Sequence, residues 1–316
     1  MSAYYDRRLS PPMMSLLSGP LAWLLADVRG EWGETWGAHL QTRLSDGSPE
    51  RIQLYAGRES PLYVSQAKGG FVVDVGDGKS RPPRPGFFKL AMSSGQLAEY
   101  GPELKAWLAE AMASLNPSFN EKPEARAQVG MVRRYGLNYR AGEPLLVLDT
   151  EAQVGFRGGR NGSGTQEKDA LKLELEKKGI GWHQKLDVLG LLPSGRVALV
   201  EIKGSPRDLV KAVEQVLCYQ SLFLRVQASD GLSARELGSW ISQKRKAGLL
   251  PRTRTPIPET GPPVPVVALP DPEADGWADR WRATIAPLME QHAGALAELQ
   301  FLRLSPEGEI LERAPA

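Results

Sequence analysis

Apolar and polar positions along this chain change period several times, and the changes predict its elements. Residues 15–28 repeat apolar side chains at helical spacing, with Gly19-Pro20 expected to kink or restart the helix. Period-two runs follow at AHLQTRL, RIQLYA, LYVSQA and FVVDVGDG, parted by Gly, Pro, Asp and Ser clusters, and predict short strands. PELKAWLAEAMASLN returns to helical spacing, with Leu104, Trp107, Leu108 and Met112 on one face and Pro102 suited to a first turn. PLLVLDTEAQVGF reads as a strand. RGGRNGSG, residues 157–164, then places glycine at 158, 159, 162 and 164, a composition that packs no core. A separate N-terminal α+β domain is therefore expected over 1–150, with a Gly-rich linker over 151–164.

The second half alternates strands and helices, which predicts an α/β domain over 165–316. QEKDALKLELEKKG is a helix, and KLDVLGLLPSGRVALVEIKG carries two strand-forming runs joined by a turn. In SPRDLVKAVEQVLCYQSLF, Ser205 is placed to cap, Pro206 stands at the first helical position, and Asp208 follows as a capping acid. Leu209, Val213, Val216, Gln220 and Phe223 share one face of that helix. A further helix over 232–246, a Pro-rich arm over 255–265, the strand VPVVALP, a helix striped by Trp277, Trp281, Ile285, Leu288 and His292, and the strand ELQFLRL complete the pattern. No repeat period is visible.

The stretch KLDVLGLLPSGRVALVEIKG puts carboxylates where buried strands want none. Pro193-Ser194-Gly195 has the composition of a three-residue hairpin loop, a type I turn followed by glycine in the left-handed region. That loop pairs Leu192 with Arg196 and sets Asp187 opposite Glu201; Lys203, two residues on, shares their face. A loop one residue shorter would throw Asp187 to the other face. Two opposed carboxylates among Val188, Leu191, Leu199, Val200 and Ile202 repel each other and lose hydration. A divalent cation removes the conflict, since carboxylate oxygens are the hard ligands that Mg²⁺ and Mn²⁺ prefer. Such an ion polarises a phosphodiester and lowers the pKa of a water, and Lys203 can orient that water or offset developing negative charge. The same residues would also make an ordinary wet strand edge with a salt bridge.

Composition narrows the partners. The 316 residues carry 41% hydrophobic side chains and eight Trp, enough for real cores, and a net charge of only +2. Lys and Arg are concentrated in the middle: 18 against 11 Asp and Glu over 151–255, but 4 against 10 after it. Arg133 and Arg134 beside Tyr135 and Tyr139, Arg157 and Arg160 in the Gly-rich segment, and Lys244, Arg245, Lys246, Arg252 and Arg254 in a basic stretch are candidate nucleic-acid contacts. For the Arg–Tyr cluster and the linker arginines, a plain solvated edge and a plain linker are the alternatives. The single cysteine, Cys218, lies among helix-spaced apolar residues and reads as a buried thiol in a reducing compartment. The opening residues show no basic segment followed by an apolar one, and no window is apolar enough to span a bilayer, so a soluble cytoplasmic protein with no membrane partner is expected. GDGKS has Val73 where a phosphate-binding loop needs glycine, so that motif is rejected.

Asp187, thirteen intervening residues and then Glu201-Ile202-Lys203 resemble the signature of the PD-(D/E)xK nuclease superfamily, the restriction-endonuclease-like fold, with Leu186 in place of the proline. Gln215 and Tyr219, four apart on the following helix, resemble its RecB-like and archaeal-type repair branch, and the likeness covers about residues 165–304. It implies a mixed sheet flanked by helices, with Asp187, Glu201 and the Ile202 carbonyl binding Mg²⁺ or Mn²⁺, Lys203 assisting a water, and Gln215 close by as a helper. Glu167, or Glu174 two turns on, is the expected carboxylate from the preceding helix, although residues 179–184 leave little room for the extra strand the family places there. Residues 229–262 read as a basic insertion. The function implied is a metal-dependent nuclease acting on DNA ahead of RNA, in repair, processing or defence. The alternatives are a silent nucleic-acid-binding module of the same fold and a ligand-regulated defence effector, with residues 1–150 serving recognition or regulation and a homodimer left open. His39, His183 and His292 are too scattered to form a metal set, though His183, four residues before Asp187, could line the site.

Overall fold

A computed structural model describes residues 3–5, 7–36, 38–45, 48–57, 59–75, 82–115, 122–152, 154–156, 163–183, 185–228, 232–271 and 273–316. The chain splits into two compact units, one of residues 6–121 and 240–252, the other of 1–5, 122–239 and 253–316. The expected boundary over 151–164 is therefore displaced. Residues 146–152 form a strand hydrogen-bonded into the same sheet as the 186–191 strand, so the second unit starts well before the Gly-rich segment. Residues 157–162, with Arg157 and Arg160, lie outside the described residues.

After the short strand β1 (Ala3–Tyr4), which belongs to the second unit, the first unit opens with helices α1 (Pro11–Ser18), α2 (Ala22–Arg29) and α3 (Glu31–Trp36). The expected 15–28 helix is thus two helices, broken at residues 19–21 as the Gly-Pro pair demands. Strands β2 (His39–Ser45), β3 (Ser48–Ala56), β4 (Glu59–Ala67), β5 (Gly70–Asp74) and β6 (Ala91–Met92) make an antiparallel meander in that order. Its inner face is apolar: Leu40, Ile52, Leu54, Leu62, Val64 and Val73 are buried, alternating with polar neighbours. Helices α4 (Ser94–Glu99) and α5 (Gly101–Ala113) follow, and Leu104, Trp107, Leu108 and Met112 of α5 are buried as the spacing predicts. A capping box of Ser93 and Gln96 starts α4.

The second unit holds the motif. Its elements are α6 (Pro123–Val132), β7 (Leu146–Ala152), β8 (Gly155–Phe156), α7 (Ser163–Lys177), β9 (Leu186–Leu191), β10 (Val197–Ile202), α8 (Leu209–Ala228), α9 (Ala234–Lys246), β11 (Val264–Pro270), α10 (Trp277–Gln291), α11 (Ala293–Leu296), β12 (Gln300–Leu304) and β13 (Ile310–Pro315). The chain leaves this unit within α9. The sheet order is β13-β12-β11-β10-β9-β7, parallel among β10, β11 and β12 and antiparallel elsewhere. The strand beside β9 at the sheet's edge, β7, comes from upstream of α7. A π-helical turn, Arg133–Leu137, extends α6, and Ala127, Met131, Val132 and Tyr135 pack with Val188, Ala198, Val200, Ile202 and Val266. α8 lies against β10 and β11, burying Leu209, Val213, Val216, Gln220 and Phe223. Among the described residues the fold is therefore mixed α/β, with a five-stranded and a six-stranded sheet flanked by helices and a short β1–β8 pair. No helix among the described residues is long and apolar enough to cross a membrane.

Candidate active site

The turn between β9 and β10 is built as its residues predict. The Gly195 N–H donates to the Leu192 carbonyl at 2.8 Å, the Leu192 N–H donates to the Arg196 carbonyl at 3.0 Å, and Gly195 has φ +85°. A side chain at Gly195 would run into the Ile257 carbonyl oxygen, so glycine is required twice over. The ladder pairs Val197 with Leu191 and Val200 with Val188, the register that aligns Asp187 with Glu201. At that point the strands part, and Asp187 bridges them: its Oδ2 accepts the Ile202 N–H at 2.8 Å. The Lys203 N–H turns instead to the Ala268 carbonyl of β11 at 3.1 Å.

The charged triad is almost wholly enclosed, with Asp187 8%, Glu201 1% and Lys203 7% exposed. The Lys203 ammonium donates to Glu201 Oε1 and, at 3.2 Å, to the Ile202 carbonyl. Burial pushes the Asp187 carboxyl up to about 7, with Glu124 and Glu151 pushing the same way and Lys203 and the Ile202 N–H opposing. Burial, and then the Asp187 charge, raise Glu201 well above the ordinary carboxylate range against the pull of Lys203. Burial alone would lower Lys203, but Glu201 and Asp187 carry it above its usual value. One lysine thus serves two carboxylates, and Glu201 Oε2 is buried with no hydrogen-bond partner.

Those features fit a divalent cation. Glu201 Oε2, Asp187 and the Ile202 carbonyl would supply hard oxygen donors, and the carboxyls would give up their protons as an ion bound. Among the described residues no three His, Cys, Asp or Glu side chains gather closely enough to enclose an ion; two carboxylates would leave an ion such as Mg²⁺ positions that waters and a phosphate usually fill.

Other expected participants are distributed unevenly. Glu174 of α7 is engaged at the surface by Lys178 at 2.9 Å and Arg225 at 2.7 Å. A helix carboxylate whose charge bears on both Asp187 and Glu201 is Glu124 of α6. The start of α6 reaches the motif, since a side chain at Gly204 would meet the Glu124 N–H and Pro123, and Gln128 Nε2 donates to the Asp187 carbonyl at 3.1 Å. Sequence reasoning missed α6; its signal was Pro123-Glu124 ahead of apolar residues at helical spacing. Gln215 reaches Tyr219, whose hydroxyl donates to the Lys185 carbonyl and is pushed up by burial and by Glu201 and Asp187. Cys218 is a buried thiol, raised to about 11 by burial.

The basic candidates separate into two kinds. Lys244 is 5% exposed with its ammonium 4.9 Å from the centre of the Trp240 ring, a packed position on α9. Within the basic insertion, Leu237, Trp240, Ile241, Leu249 and Leu250 are buried. Arg245 is half-buried, whereas Lys246, Arg252 and Arg254 are exposed. In the Arg–Tyr cluster both rings are buried, Tyr135 accepting the Ile310 N–H at 2.8 Å, which leaves no face for a base to stack on. Arg133 and Arg134 are exposed, and Arg134 pairs with Glu309 at 2.8 Å.

No protein-family model matches the chain, and neither does any curated protein or solved structure compared with it.

Proposed function

We propose that the second unit is a metal-dependent nuclease of the PD-(D/E)xK kind, hydrolysing phosphodiester bonds, DNA ahead of RNA. The observation that carries the reading is the buried, unpartnered Glu201 Oε2 beside Asp187 and Lys203 at the parting of β9 and β10. A pure binding module gains nothing from two buried carboxylates facing an anionic ligand. Asp187 and Glu201 would hold Mg²⁺ or Mn²⁺ with the Ile202 carbonyl, and that ion, when bound, would polarise the phosphodiester and acidify a water. Lys203, fixed by Glu201 and the Ile202 carbonyl, orients the attacking water and offsets charge gathering on the phosphoryl oxygens. Gln128 and the Ile202 N–H hold the main chain and carboxylate of Asp187 in place.

The experiment is cleavage of linear, circular, single-stranded and RNA substrates with Mg²⁺ or Mn²⁺ by wild type, Asp187→Asn and Glu201→Gln. Both variants keep side-chain shape, and cleavage falls by at least about 100-fold, the order expected when one preorganised electrostatic group is removed. Undiminished cleavage by variants whose circular dichroism matches wild type would sink the assignment.

A further inference from the structure

We propose that His183 and Lys211, with Lys185 at the mouth, form a phosphate-binding subsite that holds the phosphodiester next to the one being cut. The proposal rests on the nuclease reading of the Asp187–Glu201–Lys203 centre and adds its substrate-positioning residues. One face of α8 grips the segment that leads into β9. The His183 N–H donates to Cys218 Sγ at 3.3 Å, the Cys218 thiol donates back to the His183 carbonyl at 3.5 Å, and the Tyr219 hydroxyl donates to the Lys185 carbonyl. All three bonds use the main chain of this segment, so α8 fixes its path without consuming the imidazole or the ammonium group. Lys211 and Gln215 stand seven and three residues before Cys218, on the same face of α8, and continue it toward the helix start.

The imidazole has cationic neighbours, of which Lys203 is paired with Glu201. The His183 ring is half-buried, 6.5 Å from the Tyr219 ring, and the charged groups that bear on it are Lys203 and Lys211. Burial first, and then those two ammonium groups, hold the imidazole below its ordinary proton affinity. A neutral imidazole N–H between two ammonium groups is a set of donors, which suits a phosphate oxygen. Lys185 directly precedes β9, two residues before Asp187. The Lys185 side chain is 59% exposed and 3.5 Å from Glu151, a surface ion pair that a phosphate can displace at little cost. Two carboxylates for a cation thus lie beside cationic donors for an anion, the division of labour a phosphodiester strand requires.

The test is fluorescence-anisotropy binding of a short labelled single-stranded oligonucleotide to the intact protein in Ca²⁺ over a range of salt. His183→Ala and Lys211→Ala are each expected to weaken binding by about tenfold, the loss of one charge-assisted contact. Lys211→Ala should also flatten the dependence of log K on log salt by about 0.7, the share of one phosphate contact on a single strand. Neither variant should change the melting temperature, because the ring of His183 takes no part in the Cys218 bonds. Wild-type affinity and salt slope in both variants, or a wild type that does not bind, would overturn the subsite. In the cleavage arm, KM for the oligonucleotide should rise in both variants, while hydrolysis of thymidine 5′-p-nitrophenyl phosphate, which has no neighbouring phosphate, stays unchanged. Equal losses on both substrates would also overturn it. If the variants weaken binding but the wild type hydrolyses neither substrate with Mg²⁺ or Mn²⁺, the nuclease reading fails while the phosphate subsite stands.

Discussion

Both sheets bury polar side chains, but of different kinds. In the first unit the meander encloses His39, Gln41, Gln53 and Ser60, which are uncharged or weakly basic. They satisfy one another in part: Gln53 Nε2 donates to Ser60 Oγ at 2.7 Å, and Gln41 Nε2 lies 3.3 Å from His39 Nε2, leaving each amide one oxygen without a partner. In the second unit's sheet the enclosed groups include charged ones, Asp149, Asp187, Glu201, Lys203 and Arg303, and Glu201 Oε2 lacks a hydrogen bond while its carboxylate shares one lysine with Asp187. A neutral orphan oxygen costs about 1–3 kcal/mol and can simply be tolerated. An uncompensated buried charge costs more and shifts its own protonation instead, as Asp187 and Glu201 do. The first arrangement is largely self-contained; in the second, the cation we propose would supply what the side chains lack.

That contrast can be broken most forcefully at Lys203. Lys203→Met strips the cation from two buried carboxylates and is expected to destabilise the protein by about 3–5 kcal/mol in urea melts without metal, much of it restored when Mg²⁺ is added. A loss under about 1 kcal/mol would mean the carboxylates do not depend on it.

The pH dependence is next in size. Asp187 is raised from an ordinary 3.8 to about 7, so its folded value exceeds the unfolded one. The protonated form therefore favours the fold, and this stabilisation, present below about pH 4, drains away as pH climbs through about 7. Metal-free protein should lose roughly 1–4 kcal/mol between those limits through this group. Asp187→Asn should flatten the profile, and saturating Mg²⁺ should restore wild-type stability at pH 8. Superimposable profiles for wild type and variant would contradict the coupling.

Gly195→Ala probes the turn that sets the register. The left-handed backbone and the Ile257 carbonyl together make a cost of about 1–3 kcal/mol the expected outcome in thermal melts. The smallest effect belongs to the first unit. Gln53→Met exchanges one hydrogen bond for removal of an orphan oxygen and should change stability by less than about 1 kcal/mol. A loss as large as that of Lys203→Met would erase the distinction between the two sheets.

How much of this was legible in advance depended on the range of the interaction. The Pro193-Ser194-Gly195 loop, the alignment of Asp187 with Glu201, the buried face of α5 and the buried Cys218 follow from neighbours a few residues apart, whose spacing fixes turn type, strand alternation and helix face. The parting of β9 and β10 at Asp187 did not, since the Ile202 N–H could equally have continued the ladder.

Glu124 shows the limit most clearly. Its chain position, 63 residues before Asp187, carries no hint of proximity, and only the packing of α6 on β7, β10 and β11 delivers it to the motif. Lys244 shows the reverse, a basic run that looked like an arm until Trp240 and its buried neighbours claimed it. The domain boundary moved for the same reason, because β7 pairs with a strand beyond the Gly-rich segment. The amino-acid sequence by itself determined the hairpin, its register and the chemistry of Asp187, Glu201 and Lys203, because those rest on local geometry and side-chain type. Tertiary structure alone decided which distant charges surround them and how deeply water is excluded, and those two quantities separate an ordinary ion pair at a strand edge from the enclosed charge cluster on which the proposed metal site rests.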